Sequence, residues 1–567
     1  MNTETRNCRN CKQPFTIEPA DFGFYEKMQV PAPTWCPECR LQRRLYFMNE
    51  RALYKRNCDL CGKSIVNMYS PDKNLKVYCN PCWWSDKWDS LSYGREYDPA
   101  RPFLAQLKEL YEATPQMALE VNYPTLVNSD YVNHAATAKN CYLIFTADEC
   151  ENVMYSEIIS YYRDCLDCTR GDNLELCCGT INSARCNRCF FSEYCTDSNN
   201  LVFCNNCRGC NDCFGCVNLR NKKYHIFNQP HSKEEYEKKL AEMRLDARSG
   251  LAKARKQAHD FWLTQPNKYI HSGARSVNVS GDYVNWSKNA HDCYMVVGAE
   301  DSRYCQLLTM RPTRDAYDYT IWGNNAQKIY ECMIVGEGAD TVKFSFQCWP
   351  NVRDVEYSMF AISSSHLFGC ANVRNKQHCI LNKQYSPEEY GALKKRIIED
   401  MGKNPFVDPR GRVFRYGEFL PYEISLFGYN ESYAADFFPL DKAEAERQGF
   451  AWHEPEPNPH KPTLRVADVP DSIRDVPDSI LNDVIACGSC GKPFRILSVE
   501  LGLLRRFGLP VLGDCPDCRY RSRFVQLNPP RLWDRVCGKC GTAIRTAYAP
   551  DRPEIVYCEK CFNAAIA

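Results

Sequence analysis

The chain has 567 residues, 44% hydrophobic and 13% aromatic, enough apolar mass for several cores and far from a disordered composition. Its 71 basic and 70 acidic side chains leave a formal charge of +1. No global field therefore draws it to nucleic acid, an acidic substrate or a membrane, and any such preference has to be local. No apolar run approaches a bilayer-spanning length, and the opening MNTETRNCRNCKQPF lacks a basic start followed by an apolar stretch, so a cytoplasmic location is expected. The 36 cysteines sit largely in CxxC pairs of a long chain, which points to reduced, metal-holding thiols rather than a secreted disulfide framework.

In chain order, residues 1–92 predict an N-terminal double zinc module. Cys8 and Cys11 pair with Cys36 and Cys39, and Cys58 and Cys61 with Cys79 and Cys82. Each of these eight cysteines recurs 479 positions later, as Cys487, Cys490, Cys515, Cys518, Cys537, Cys540, Cys558 and Cys561. Arg40 with Arg519 and Arg56 with Arg535 keep the same offset, as do Pro14-Phe15 with Pro493-Phe494, so residues 485–567 read as an in-register copy of the first module. A CxxC turn aims two sulfurs at one point, and two such turns brought together by a hairpin or a short helix complete the tetrahedral four-thiolate shell that Zn(II) prefers. Four Zn(II) sites are expected, as the core that such short modules otherwise lack. Iron in a rubredoxin-like site also suits Cys36-Pro-Glu-Cys39 and Cys58-Asp-Leu-Cys61-Gly. A lone thioredoxin-like redox pair fits four recurring pairs poorly.

The stretch CRNCKQPFTIEPADFGFYEKMQVPAPTWCPECRLQRR resembles a small bacterial family of zinc ribbons, and Cys58 to Cys82 resembles a separate zinc domain of CxxC-x17-CxxC form. As a whole the chain is similar to large bacterial zinc-ribbon proteins without assigned activity. The resemblance implies a metal at the ends and leaves function open.

Residues 93–127 predict a helical linker, with the helix itself over 101–113. Residues 128–231 and 280–385 predict two copies of a Cys-rich repeat, since Tyr131-Val132-Asn133 matches Tyr283-Val284-Asn285 and FGCVNLRNK from Phe214 matches FGCANVRNK from Phe368. Short alternating segments opened by Asn or Asp recur roughly every twelve residues, the pattern of strands stacked as rungs of a β-solenoid with Cys, Tyr, Val and Leu inside. The series Cys204, Cys207, Cys210, Cys213 and Cys216 admits a fifth metal site, but Cys210 and Cys213 face Ser364 and Leu367 in the other copy, which favours core packing. Arg220 and Arg374 could grip an anion, or their Asn-x-Arg-Asn-Lys segments could cap the last rung.

Capping boxes at Ser232–Glu235 and Ser386–Glu389 start helices. The first belongs to a linker helix in 232–279, read over 232–262 and carrying Arg244, Arg248, Lys253, Arg255 and Lys256; the second opens a helix and extended segment, 386–451. A Pro-rich linker, 452–484, leads to the last module. The fold class is thus mainly β with helical linkers: a duplicated solenoid-like region flanked by two double-zinc modules of ribbon or treble-clef type.

No catalytic motif is present, and His134 and His291 read as packed or surface residues. A zinc-binding, non-enzymatic scaffold for a protein partner is expected. The alternative is RNA or DNA binding through Arg40, Arg43, Arg44, Arg519, Arg521 and Arg523, which follow the second CxxC of each module. A carbohydrate-active enzyme on the solenoid face is the third option. No membrane and no small-molecule substrate are expected.

Overall fold

The computed structural model describes residues 2–272, 275–308 and 312–566. Most strands belong to two coils of parallel β-structure, one running from Leu126–Val127 to Lys223–Ile226 and the other from Val277–Asn285 to Gln377–Ile380, each closed by a short antiparallel strand, Gln229–Pro230 or Lys383–Gln384. In the first, each turn pairs with the next at a shift of twelve: Phe145 with Glu157, Thr169 with Ile181, Asn199 with Asn211, Asn211 with Lys223.

The twelve divides into four sides of three. From His134 to Phe227 every third residue has a positive φ, so two extended residues alternate with one left-handed corner and four corners close a turn. The residue after each corner points to the axis, as Cys141, Ile144, Ala147, Cys150 and Val153 do, all buried. Four side chains meet at one level, which selects small and medium residues and explains why cysteine, a compact hydrophobe, recurs there.

A left-handed non-glycine corner costs on the order of 1 kcal/mol, and most corners here are not glycine. Stacking offsets the cost. Corner N–H groups bond to carbonyls of the preceding turn, as Asp167 does to Met154 at 3.0 Å, and the side chains of Asn128, Asn140, Asn152 and Asp164 form a ladder at 3.2, 3.1 and 2.8 Å. Glycine is required at the axial position 171 for another reason: a Cβ there would lie 2.4 Å from the Tyr162 hydroxyl and 2.2 Å from the Ser183 carbonyl. The buried Tyr162 ring already occupies that space.

The second coil is less regular. Its shift is twelve from Lys288 to Glu300, fourteen to Arg314, thirteen to Gln327, Asp340 and Arg353 in succession, and twelve again to Ser365.

Each coil ends on an asparagine that satisfies the last rung. Asn228 exchanges two hydrogen bonds with the Val217 backbone at 2.9 and 3.0 Å, and Asn382 does so with Ala371 at 2.8 Å each. The capping role expected of the Asn-x-Arg-Asn-Lys segments belongs to these later residues. The capping boxes form as expected at Ser232/Glu235 and Ser386/Glu389. The single helix expected over 232–262 is two, Lys233–Glu242 and Arg248–Trp262, because Arg244 between them is left-handed (φ 49°).

The chain forms two compact units. One comprises residues 1–118, 270–454 and 529–532, the other 119–269, 455–528 and 533–567. The N-terminal cysteine module therefore shares a unit with the second coil, and the C-terminal module shares one with the first. Among the described residues no helix is long and apolar enough to cross a membrane.

Candidate metal centres and module docking

All sixteen terminal cysteines assemble as their spacing predicts. They form four groups, Cys8/Cys11/Cys36/Cys39, Cys58/Cys61/Cys79/Cys82, Cys487/Cys490/Cys515/Cys518 and Cys537/Cys540/Cys558/Cys561, each with its four Sγ atoms within 4.8 Å of one another. The local geometry is the same four times. The first CxxC sits in a hairpin turn that closes on a left-handed residue, Lys12, Gly62, Gly491 or Gly541. The second opens a helix rather than a second hairpin, with Cys36, Cys79 and Cys515 as N-caps of Pro37–Leu45, Asn80–Trp83 and Pro516–Phe524, and Cys558 immediately before Glu559–Ile566.

The first sulfur of each group accepts the backbone N–H of the third cysteine at 3.2 Å. Burial raises the pKa of these leading thiols, but the amide donors outweigh it and hold Cys58 and Cys487 at about 7 and Cys537 at about 6. The sulfurs of Cys11 and Cys36, Cys61 and Cys79, Cys490 and Cys515, and Cys540 and Cys558 lie 3.7–3.8 Å apart. A metal with bonds of about 2.3 Å to four tetrahedral thiolates has edges of about 3.8 Å. The donor sets thus fit a divalent metal held entirely by protein.

The Cys204–Cys216 series is built differently. Its three-residue spacing is the length of one coil side, so successive thiols point inward from successive sides. All five are fully buried, and each approaches the carbonyl two residues back, as Cys204 does Val202 at 3.6 Å. Among the described residues only the four terminal groups converge as a metal site. The Cys204–Cys216 series is not one of them.

In comparisons with known proteins, no family model, no curated protein and no solved structure matches the chain.

The candidate nucleic-acid arginines are mostly turned inward. In the first unit, helix Pro37–Leu45 lies along the flank of the second coil, against Thr313–Thr320 and Ala326–Met333. Arg40 bonds Asp318 at 2.9 Å and the Trp35 carbonyl at 2.6 Å, Arg43 meets both Glu331 oxygens at 2.9 Å, and Arg44 stands 3.2 Å from Asp318. All three are at most 1% exposed, with three acids, Asp318, Glu331 and Glu418, facing three arginines. Aromatic contacts surround this cluster: Phe24 stacks on Tyr317 at 3.8 Å and Phe47 packs near Phe346 at 5.5 Å.

The second unit repeats the device. Arg519 and Arg523, the counterparts of Arg40 and Arg44, clamp Asp167 at 2.8 and 2.9 Å. Arg519 also holds the buried Glu500 at 3.0 Å. Like Asp318, Asp167 is a left-handed corner of its coil. Of the six predicted contacts only Arg521 is exposed. Five of the six are therefore unavailable to phosphate, because each guanidinium is buried and faces a carboxylate inside its own unit.

Arg374 and Arg220 do not grip an anion either. Arg374 enters a cage of Trp83 and Trp88, each 5.2 Å from its guanidinium, and Trp84 at 5.9 Å, and donates to the Ser85 carbonyl at 3.0 Å. Arg220 folds onto the carbonyls of Leu219 and Asn206. Neither Asp167 nor Asp318 was singled out in the sequence. The signal was an acid at a corner in each copy, and it becomes legible only once the three-residue side is recognised.

Glu193 on the first coil is 8% exposed, and burial, only partly offset by Arg552, pushes its carboxyl up to about 7. Because the folded value lies above the unfolded one, its stabilising contribution is complete below about pH 4.5 and is lost as pH rises through about 7. Glu193→Gln is expected to remove this dependence and, at pH 8, to stabilise the second unit by up to about 3 kcal/mol relative to the parent. Urea midpoints of both proteins from pH 6 to 8 in metal-replete buffer test this; parallel curves would contradict it.

Proposed function

We propose that the protein is a non-enzymatic interaction scaffold braced by four structural zinc ions. The observation that carries this proposal is the pairing of closed four-thiolate sets with inward-facing arginines. Each first-group helix that begins at a cysteine ligand also presses its basic residues into a coil, so metal and docking serve one rigid object. Four protein thiolates leave no open coordination position for a hydrolytic water. Zinc is preferred to iron because one ligand of every group, Cys11, Cys61, Cys490 or Cys540, is exposed, a placement that suits a redox-inert ion. The coils, with small side chains inside and regular ladders outside, offer long rigid faces to a partner.

Elemental analysis of reduced, full-length protein should return four zinc per chain with little iron. Filter binding with single-stranded RNA and duplex DNA should show no affinity that falls steeply with salt. Fewer than four metal equivalents defeats the zinc assignment. Salt-steep binding lost in Arg521→Ala favours the nucleic-acid alternative.

A further inference from the structure

The second coil lengthens its turns beyond twelve residues between Glu300 and Arg353, and a groove lies there. Three of its intervals between left-handed corners, Ile321 to Asn325, Ile334 to Gly338 and Gln347 to Asn351, are four residues long instead of three. The added residues fall on the same side of three consecutive turns. They widen that side, and Trp322 and Trp349 pack over Gly336, whose absent Cβ would lie 2.8 and 2.7 Å from them. Along the corner that borders the widened side, two hollows of about 500 and 300 Å³ adjoin at Pro312 and Arg314. The regular first coil needs no such insertions.

The lining decides what the groove suits. Its floor is backbone at the corners Gly298, Asn325 and Gly338 and at Ala299, Ala326 and Ala339, whose methyls are buried in the coil, so it offers no deep pocket to anchor peptide side chains. One wall is a single outward ladder, Lys288, Glu300, Arg314, Gln327 and Asp340, set by the strand register. Within it Glu300 stands 3.7 Å from Lys288 and 3.3 Å from Arg314, and Gln327 donates to Asp340 at 3.0 Å. Two cations and two anions leave the wall neutral, which disfavours a polyanion such as nucleic acid. Its planar carboxylate, amide and guanidinium groups repeat every ~4.8 Å and can hydrogen-bond successive hydroxyls. At one end Trp286 is 46% exposed, with the Arg275 guanidinium 4.4 Å from its ring centroid, an indole platform on which an apolar sugar face can stack.

We propose that this groove binds a neutral, linear oligosaccharide. It binds without cleaving: Glu300 and Asp340 are three turns apart in the register, about 14 Å, whereas glycoside hydrolysis needs paired carboxylates within about 5–9.5 Å. The site is independent of the metal centres, so it stands or falls apart from the zinc assignment.

The test is calorimetry and affinity electrophoresis of the full-length protein with cello-, xylo-, chito- and malto-oligosaccharides, with polygalacturonate and heparin as anionic arms. At least one neutral series should bind and be recovered intact. Trp286→Ala and Gln327→Ala should each weaken it by about tenfold or more, while Tyr161→Ala on the first coil leaves it unchanged. Failure of every neutral series, binding of the anionic polymers alone, or retention of affinity in both groove variants would overturn the proposal. So would shortened products.

Discussion

Cys39→Ala is expected to remove one of four metal equivalents and to unfold the first cysteine group, a loss on the order of 10 kcal/mol locally. Two things fail together, because the helix Pro37–Leu45 both supplies Cys39 and carries Arg40, Arg43 and Arg44 into the second coil. Once the helix frays, Trp35, now 3% exposed, enters water and tryptophan emission moves to the red. Cys204→Ala gives the contrasting result. It lies inside a coil, so metal content should stay at four and the cost should be only that of a small cavity, about 1–2 kcal/mol. Metal content by elemental analysis, read beside unfolding by circular dichroism, separates the two. If Cys204→Ala also lost a metal equivalent, the division between ligand and packing cysteines would be wrong.

Asp318→Ala is expected to cost the first unit about 3–5 kcal/mol with all four metal equivalents retained. Arg40 and Arg44 both face this carboxylate, and removing it leaves two guanidiniums buried without their shared partner. Nearby Glu331 and Glu418 keep part of the balance with Arg43, so the effect is local to the Asp318 clamp. Asp167→Ala should do the same to the second unit, where Arg519 and Arg523 share that acid. A second experiment guards against simple cavity effects: Asp318→Asn keeps the volume and hydrogen-bonding shape while removing the charge, and should recover little of the loss. Urea denaturation of each variant is the measurement. A change below about 1 kcal/mol in both aspartate variants would mean that the clusters behave as surface ion pairs.

The terminal cysteine sets were legible because metal ligation is local chemistry. Two CxxC turns joined by a short segment can meet in few ways, and a chain that repeats the whole pattern 479 positions on repeats the outcome. The coil was legible from its twelve-residue beat. Its three-residue side was not, although Cys204, Cys207, Cys210, Cys213 and Cys216 display that period openly. CxxC spacing is degenerate: it serves a two-sulfur turn and, equally, the inward positions of a coil whose corners come every third residue. Asn, Asp and Gly at corners gave partial warning, but Ile158, Phe203 and Leu143 also adopt positive φ, which no single-residue preference predicts. Turn-on-turn bonding imposes it.

The linear order of residues by itself determined which thiols gather and that strands stack in register, since both follow from spacing along a short stretch of chain. Only the tertiary structure decided which module lies with which coil and what the arginines do. A helix rich in Arg looks the same in sequence whether it faces water or a buried carboxylate, because Asp318 is far from Arg40 in the chain and adjacent only after folding. Burial of that charge is a property of the pair, and the pair exists only in three dimensions.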